Sequence, residues 1–262
     1  MTDRRRVLGP ADAVPFSLDN IKPAEIEQKS LDVGSIFVKT GVVENANGSA
    51  YLELDDIKIV AVVHGPRPMR GLFTTSAILN VDTKFLPVSL CDIESKSALV
   101  SSTQLTQYIR SASTTQSSSL QKNVSSYVHT SLLPSILVEK YPKSTIDVSI
   151  SVLSSSNNTK TTVAAAVSCA GAALADSGLE CTDIVTAGSV LLSDSSAVVC
   201  PSRAPTREID AVVSYMAASK KIVGMWVEGG NVSETQMEEV FDKTEDMARE
   251  IRGVMHGVLL EQ

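Results

Sequence analysis

The longest apolar run in the chain, Val163 to Ala175, contains only Ala, Val, Cys, Gly and Leu apart from Ser168. It is shorter than the roughly 20 residues that a membrane-spanning helix needs, and it is rich in small side chains. It therefore predicts a buried helix from Thr162 to Ser177, closed by Gly178, which can take the left-handed conformation of a helix end. Its small residues let a sheet or another helix approach closely. Just upstream, Thr145 to Val152 alternates, with Ile146, Val148, Ile150 and Val152 on one side and Asp147, Ser149 and Ser151 on the other. That is the pattern of a half-buried strand. Ser154 to Lys160 reads as a polar loop between the two.

Short runs rich in Val and Ile flank this unit. Ser35–Val43, Ala50–Leu54, Ile57–Val63 and Leu72–Val81 are separated by the turn signals Asn45-Ala46-Asn47-Gly48, Asp55-Asp56 and Gly65-Pro66-Arg67-Pro68. Four strands without an intervening helix predict an antiparallel meander, with the nearly all-apolar Ile57–Val63 central and covered on both faces. The polar stretch 95–131 still carries two helical faces, Leu99, Thr103, Thr106 and Ile109, then Leu120, Val124, Tyr127 or Val128, and Leu132. A break is expected near Ser111 to Ser119, and Tyr141-Pro142 ends the block. Further strands are expected at Ile184–Leu192, Ala197–Val199, Ile209–Met216 and Lys221–Val227. A last helix opens at Ser233, with Gln236 completing a capping box. Its buried stripe is Met237, Val240, Phe241, Met247, Ile251, Val254 and Val258.

Residues 1–34, with Pro10, Pro15 and Pro23, read as an N-terminal arm ahead of one domain at 35–262. The Arg4-Arg5-Arg6 triplet in the arm fits either a solvated terminus or a phosphate contact. The element order predicts an α+β protein, a mixed sheet with helices packed on it.

Composition narrows the function classes. With 262 residues, 43% hydrophobic and 20% charged, the chain can bury a full core, which excludes a mainly disordered or fibrous protein. A net charge of −7 argues against coating nucleic acid through bulk charge but permits a local basic groove. Aromatics at 4%, with one Trp, argue against a platform of many exposed rings. Cys91, Cys169, Cys181 and Cys200 lack Cys-x-x-Cys spacing and are expected to be reduced core residues. His64, His129 and His256 have no marked neighbours. No secretory signal opens the chain, so a soluble intracellular protein without membrane partners is expected. No dinucleotide, P-loop, zincin or nucleophile-elbow motif is present.

Beyond this point the reading rests on resemblance. Asp3-Arg4-Arg5-Arg6-x-Leu8-Gly9-Pro10, Gly48-Ser49-Ala50-Tyr51-Leu52-Glu53 and Val63-His64-Gly65-Pro66-Arg67 look like the opening of an RNase PH-like protein. So do Glu139 to Val148 and the helix from Thr162 to Gly178. The pieces follow the family's order along nearly the whole chain, and they most resemble a ring subunit of the eukaryotic RNA exosome.

Active members of that family shorten RNA from its 3′ end with inorganic phosphate. The chemistry brings two anions into one pocket, so it needs arginines, and it needs a carboxylate pair for a divalent metal. This chain departs at each place. Thr130-Ser131-Leu132-Leu133 stands where the family has two arginines flanking Ser-Leu. Ser156-Asn157-Asn158, a short insertion and Thr162-Val163 stand for Asp-Gly-Gly-Thr-Arg, so Val163 replaces the phosphate-binding arginine. Cys200-Pro201-Ser202-Arg203 falls in the acidic metal segment, with Cys200 at the first carboxylate. Asp194 and Asp210 lie nearby in sequence, and Asp210 reads as a solvated strand residue. The resemblance thus implies a non-catalytic subunit with no cofactor, no metal ligand and no catalytic residue. It would complete a ring of RNase PH-like subunits, topped by OB- and KH-type cap proteins, attached to a hydrolytic nuclease and threaded by RNA, in the nucleus, nucleolus and cytoplasm. Arg67 and Arg70, in a loop tightened by Pro and Gly, are the candidate RNA contacts, with Lys84 a weaker third. An active phosphorolytic exoribonuclease, and an unrelated small-molecule enzyme, are the competing readings.

Overall fold

The computed structural model describes residues 33–71, 73–86, 119–156, 158–192, 197–201, 209–216, 218–230 and 232–260. The arm up to residue 32, the first helix expected in 95–111, Cys91, Asp194, Ser202 and Arg203 lie outside them.

The described residues form two sheets, three α-helices and a 3-10 turn at Val138–Lys140. β1 (Ile36–Thr40), β2 (Gly48–Leu54) and β3 (Ile57–Pro68) make the expected antiparallel hairpins. A two-residue turn links Leu54 to Ile57, with Asp55 at φ +50°. β4 (Ile78–Phe85) departs from the predicted meander. It starts later than the expected Leu72–Val81 run and does not pair with β3. Instead β5 (Ser144–Ser154) enters between them, giving the order β1-β2-β3-β5-β4, with β4 parallel to β5. A parallel pair needs a long crossover, and the chain between Phe85 and Ser144 supplies it, including α1, helical over 119–132. The sheet is mixed as expected, but β3 is not covered on both faces. Ile57, Ile59, Ala61 and Val63 are buried, while Lys58 is exposed and Val60 and Val62 are half-buried.

The second sheet is antiparallel, in the order β7-β6-β8-β9: β6 (Val185–Leu192), β7 (Ala197–Val199), β8 (Ile209–Met216) and β9 (Lys221–Glu228). α2 (Thr159–Asp176) lies between the sheets, touching β2 and β3 on one and β6 and β8 on the other. It is therefore buried all round from Lys160 to Leu174. It begins three residues earlier than the pattern suggests because the Asn158 side chain caps it, accepting from the Lys160 N–H at 2.7 Å.

α3 (Glu234–Leu260) opens with the expected capping box: Ser233 N donates to Gln236 Oε1 at 3.0 Å and Gln236 N to Ser233 Oγ at 3.3 Å. Of the expected stripe Val240, Met247 and Ile251 are buried, while Met237, Phe241, Val254 and Val258 are half-buried; Thr244, Ala248 and Met255 are buried beside them. Thr244 presses on β6 at Gly188. A Cβ there would sit 2.2 Å from the Thr244 carbonyl oxygen, which belongs to backbone and cannot swing aside. Arg252 of α3 holds Asp183 at 3.2 Å, and Asp183 accepts the N–H groups of Ala218 and Ser219 in the β8–β9 turn. No described helix is long and apolar enough to cross a membrane. Cys169 is buried, and Cys181 and Cys200 are half-buried; all three are free thiols.

Gly188→Ala should push α3 away from β6 and cost about 2–3 kcal/mol, read as a lower urea midpoint at unchanged far-UV circular dichroism.

Candidate functional site

Two places gather chemistry. The first is the N-terminal end of α2, where it meets β8, β9 and α1. Lys160 has almost no solvent exposure, and its ammonium has two partners. It lies 3.1 Å from Glu228 Oε1 and 3.1 Å from the centroid of the Trp226 ring, a cation–π contact. Glu228 also accepts from Trp226 Nε1 at 3.0 Å. Burial pulls the Lys160 pKa below the usual lysine value, against the opposing pull of Glu228 and Asp210. Trp226 packs on Tyr127 of α1 at 5.7 Å, and the Tyr127 hydroxyl meets Ser214 Oγ at 2.8 Å.

Asp210 of β8 is 3% exposed, which corrects its reading as a solvated strand residue. Burial pushes its carboxyl up to about 6, although Asn158 Nδ2 donates to it at 3.2 Å and Lys160 attracts it. Both groups hide behind residue type, since lysine and aspartate usually stay in water. The available signal was the context of Asp210, in an otherwise buried strand Ile209–Met216 that accepts a polar residue only with a partner.

The second place is one end of the mixed sheet. Gly65 turns β3 at φ +134°, and a Cβ there would lie 2.8 Å from the Thr145 carbonyl oxygen. Asn47 Oδ1 accepts the Gly65 N–H at 3.1 Å. Beyond the turn Arg67 pairs with Thr145 and Pro68 with Ser144, leaving Arg67 and Arg70 exposed together. Lys84 is not with them. It pairs with Ser151, six residues along β4 from the Ile78–Thr145 pair, roughly 20 Å away at about 3.3 Å per residue. There it holds Asp82 at 3.1 Å.

The profile of the 3′ exoribonuclease family RNase PH, domain 1, matches residues 32–180. The chain is 32% identical over 272 residues to the exosome complex component mtr3 of Schizosaccharomyces pombe, covering 100% of this chain and 98% of that protein. The chain belongs to the RNase PH family. The exosome complex component MTR3 of Chaetomium thermophilum is 28% identical over 266 residues, 87% of each chain. In fold, rice (Oryza sativa) Rrp46 superposes with a TM-score of 0.65 at 14% identity, over 89% of this chain and 98% of that one.

The RNase PH resemblance assigned this chain's substitutions to particular positions, and their settings are now visible. Ser131 and Leu132 are buried in α1, with Ser131 Oγ 3.2 Å from Ser214 Oγ. Val163 has no exposed surface and packs in the core around α2. Cys200 is half-buried, and burial pushes its thiol up to about 12, so it stays protonated at neutral pH. Cys200, which the resemblance sets at the first carboxylate of an active member, is thus a neutral thiol. Asp210 on β8 is engaged by Asn158. Among the described residues, no group of three or more His, Cys, Asp and Glu is arranged to hold a metal ion. Lys160, the cation buried at this end of α2, is already neutralised by Glu228.

Asp210 gives a pH signature. In the unfolded chain it titrates near 3.8 and in the fold near 6. Between those values the folded state binds more protons, so its contribution is present below 3.8 and lost as pH rises through 6. Asp210→Asn keeps an oxygen for Asn158 and should be more stable than wild type at pH 8 by about 1–3 kcal/mol. The gap should narrow toward pH 5 in urea melts.

Proposed function

We propose that the chain is a ring subunit of an RNA exosome that supports 3′-to-5′ RNA processing and degradation without catalysing it. The observation that carries the reading is the end-to-end similarity to exosome components in a chain whose counterpart of the phosphate arginine is the fully buried Val163. Removing a guanidinium that would hold a dianion forfeits about 1.5–3 kcal/mol per charge-assisted bond. Several such losses lower turnover by orders of magnitude.

In this reading the chain closes a hetero-oligomeric wall through interfaces that repeat around a rotation axis. Its neighbours are other RNase PH-like subunits, with OB- and KH-type cap proteins above and a hydrolytic nuclease attached, in the nucleus, nucleolus and cytoplasm. RNA passes the wall, and Arg67 and Arg70 contact its phosphates without reading sequence. Lys84 meets RNA only at a separate point of its path.

Arg67→Glu combined with Arg70→Glu should weaken RNA binding by the assembled ring about tenfold or more at physiological salt, with assembly unchanged on size exclusion. Equal RNA crosslinking by variant and wild-type rings would remove the arginines from the RNA path. Incubating the chain and its ring partner with RNA, Mg²⁺ and phosphate should release no nucleoside diphosphates; their release would favour an active phosphorolytic enzyme instead.

A further inference from the structure

The rim that carries Arg67 and Arg70 holds two more residues suited to a nucleic acid. Met69 N donates to the Lys143 carbonyl at 3.1 Å, and Lys143 N donates to the Thr74 carbonyl at 3.1 Å. The Lys143 backbone, at φ +55°, is thereby pinned between the loop of the two arginines and the residue after Phe73. Lys143 is exposed. Phe73 is 70% exposed, more than any other aromatic side chain described, and stacks on no other ring among the described residues.

Arg67, Arg70 and Lys143 make no ion pair among the described residues. By contrast Lys58, Lys84, Lys140 and Arg249 each hold a carboxylate. An open phenyl ring on the same rim as three cations that have no ion partner among the described residues is the pairing that single-stranded nucleic acid uses: cations track the backbone and a ring stacks on a base. A protein neighbour fits the rim less well. Interface cores are depleted in lysine, and burying three cations without acids is costly. An RNA strand supplies an anion for each cation and a π-face for the ring.

We propose that Phe73 stacks on a base of single-stranded RNA while Lys143, with Arg67 and Arg70, holds the flanking phosphates. The proposal rests on the reading of the chain as a ring subunit that RNA passes. Stacking of this kind is indifferent to base identity, so it suits a strand in transit.

The test uses the tagged chain purified with its companions and labelled oligouridylate and oligoadenylate at two salt concentrations. Phe73→Ala should weaken binding of both RNAs about 5- to 100-fold with an unchanged salt slope, and Phe73→Tyr should restore it. Lys143→Ala should lower the slope of log affinity against log salt by roughly 0.7. RNA carrying 5-iodouridine should photo-crosslink to Phe73. The proposal falls if Phe73→Ala binds and crosslinks like wild type. It also falls if that variant sheds its companions while the remaining rings bind RNA normally, since Phe73 would then be a protein contact. If Arg67→Glu with Arg70→Glu loses RNA while Phe73→Ala does not, only the stacking proposal fails. If neither variant changes RNA binding, the RNA path itself lies elsewhere.

Discussion

Everything in this fold depends on how closely two sheets approach one helix. α2 carries alanine at Ala164, Ala165, Ala166, Ala170, Ala172 and Ala173, and all six are fully buried. The spacing is tight enough that the remaining polar atoms bond across it. Cys169 Sγ donates to the Ala50 carbonyl at 3.4 Å, and Ala187 N donates to Ser168 Oγ at 3.1 Å. Asp176 accepts the Ser49 N–H at 2.8 Å, tying the far end of α2 to β2. Interiors packed at crystal density have no slack for a larger side chain here.

That constraint dictates what the polar end of α2 can do. Lys160 enters the same slot in the first turn, and a buried ammonium is tolerated only with partners. Glu228 and the Trp226 face provide them from β9, an edge strand that they also fasten to α2. Because Glu228 reaches in from solvent, the pair resembles a plug more than a clamp. Its carboxylate takes the place beside the cation that an external anion would need. Electrostatics here thus serve packing.

Strand and helix content was legible wherever one period dominated. The alternation of Ile146, Val148, Ile150 and Val152, the unbroken strands β6 and β8, and the capping box at Ser233 and Gln236 all match the structure. The β1–β2 and β2–β3 pairings were legible, but the partner of β4 was not. Whether β4 lies beside β3 or beside β5 is decided by the crossover through α1, and no local pattern in Ile78–Phe85 encodes it. The apolar residues Leu72 and Phe73 extended the apparent strand backwards, though Phe73 stands in water. Asn158 was readable as a helix cap, but the helix was read from Thr162, next to the apolar run, which masked it. Arg67 and Arg70 were singled out as candidates by the Pro-Gly loop around them, and the structure leaves both exposed. Lys143 was not singled out, because only backbone bonds from Met69 and to Thr74, far along the chain, bring it to the same rim.

The same separation of elements explains how an acidic chain can keep a cationic rim. α3 carries Glu234, Glu238, Glu239, Asp242, Glu245, Asp246 and Glu250 against Lys243, Arg249 and Arg252. Seven acids less three bases leave −4 on this helix, more than half of the net −7. α3 packs on β6, β7, β8 and β1, whereas Arg67, Arg70 and Lys143 rise from the junction of β3 with β5. At physiological salt, charges farther apart than about 8 Å are largely screened from each other. Placing the negative charge on a different element thus costs the rim little attraction for a polyanion.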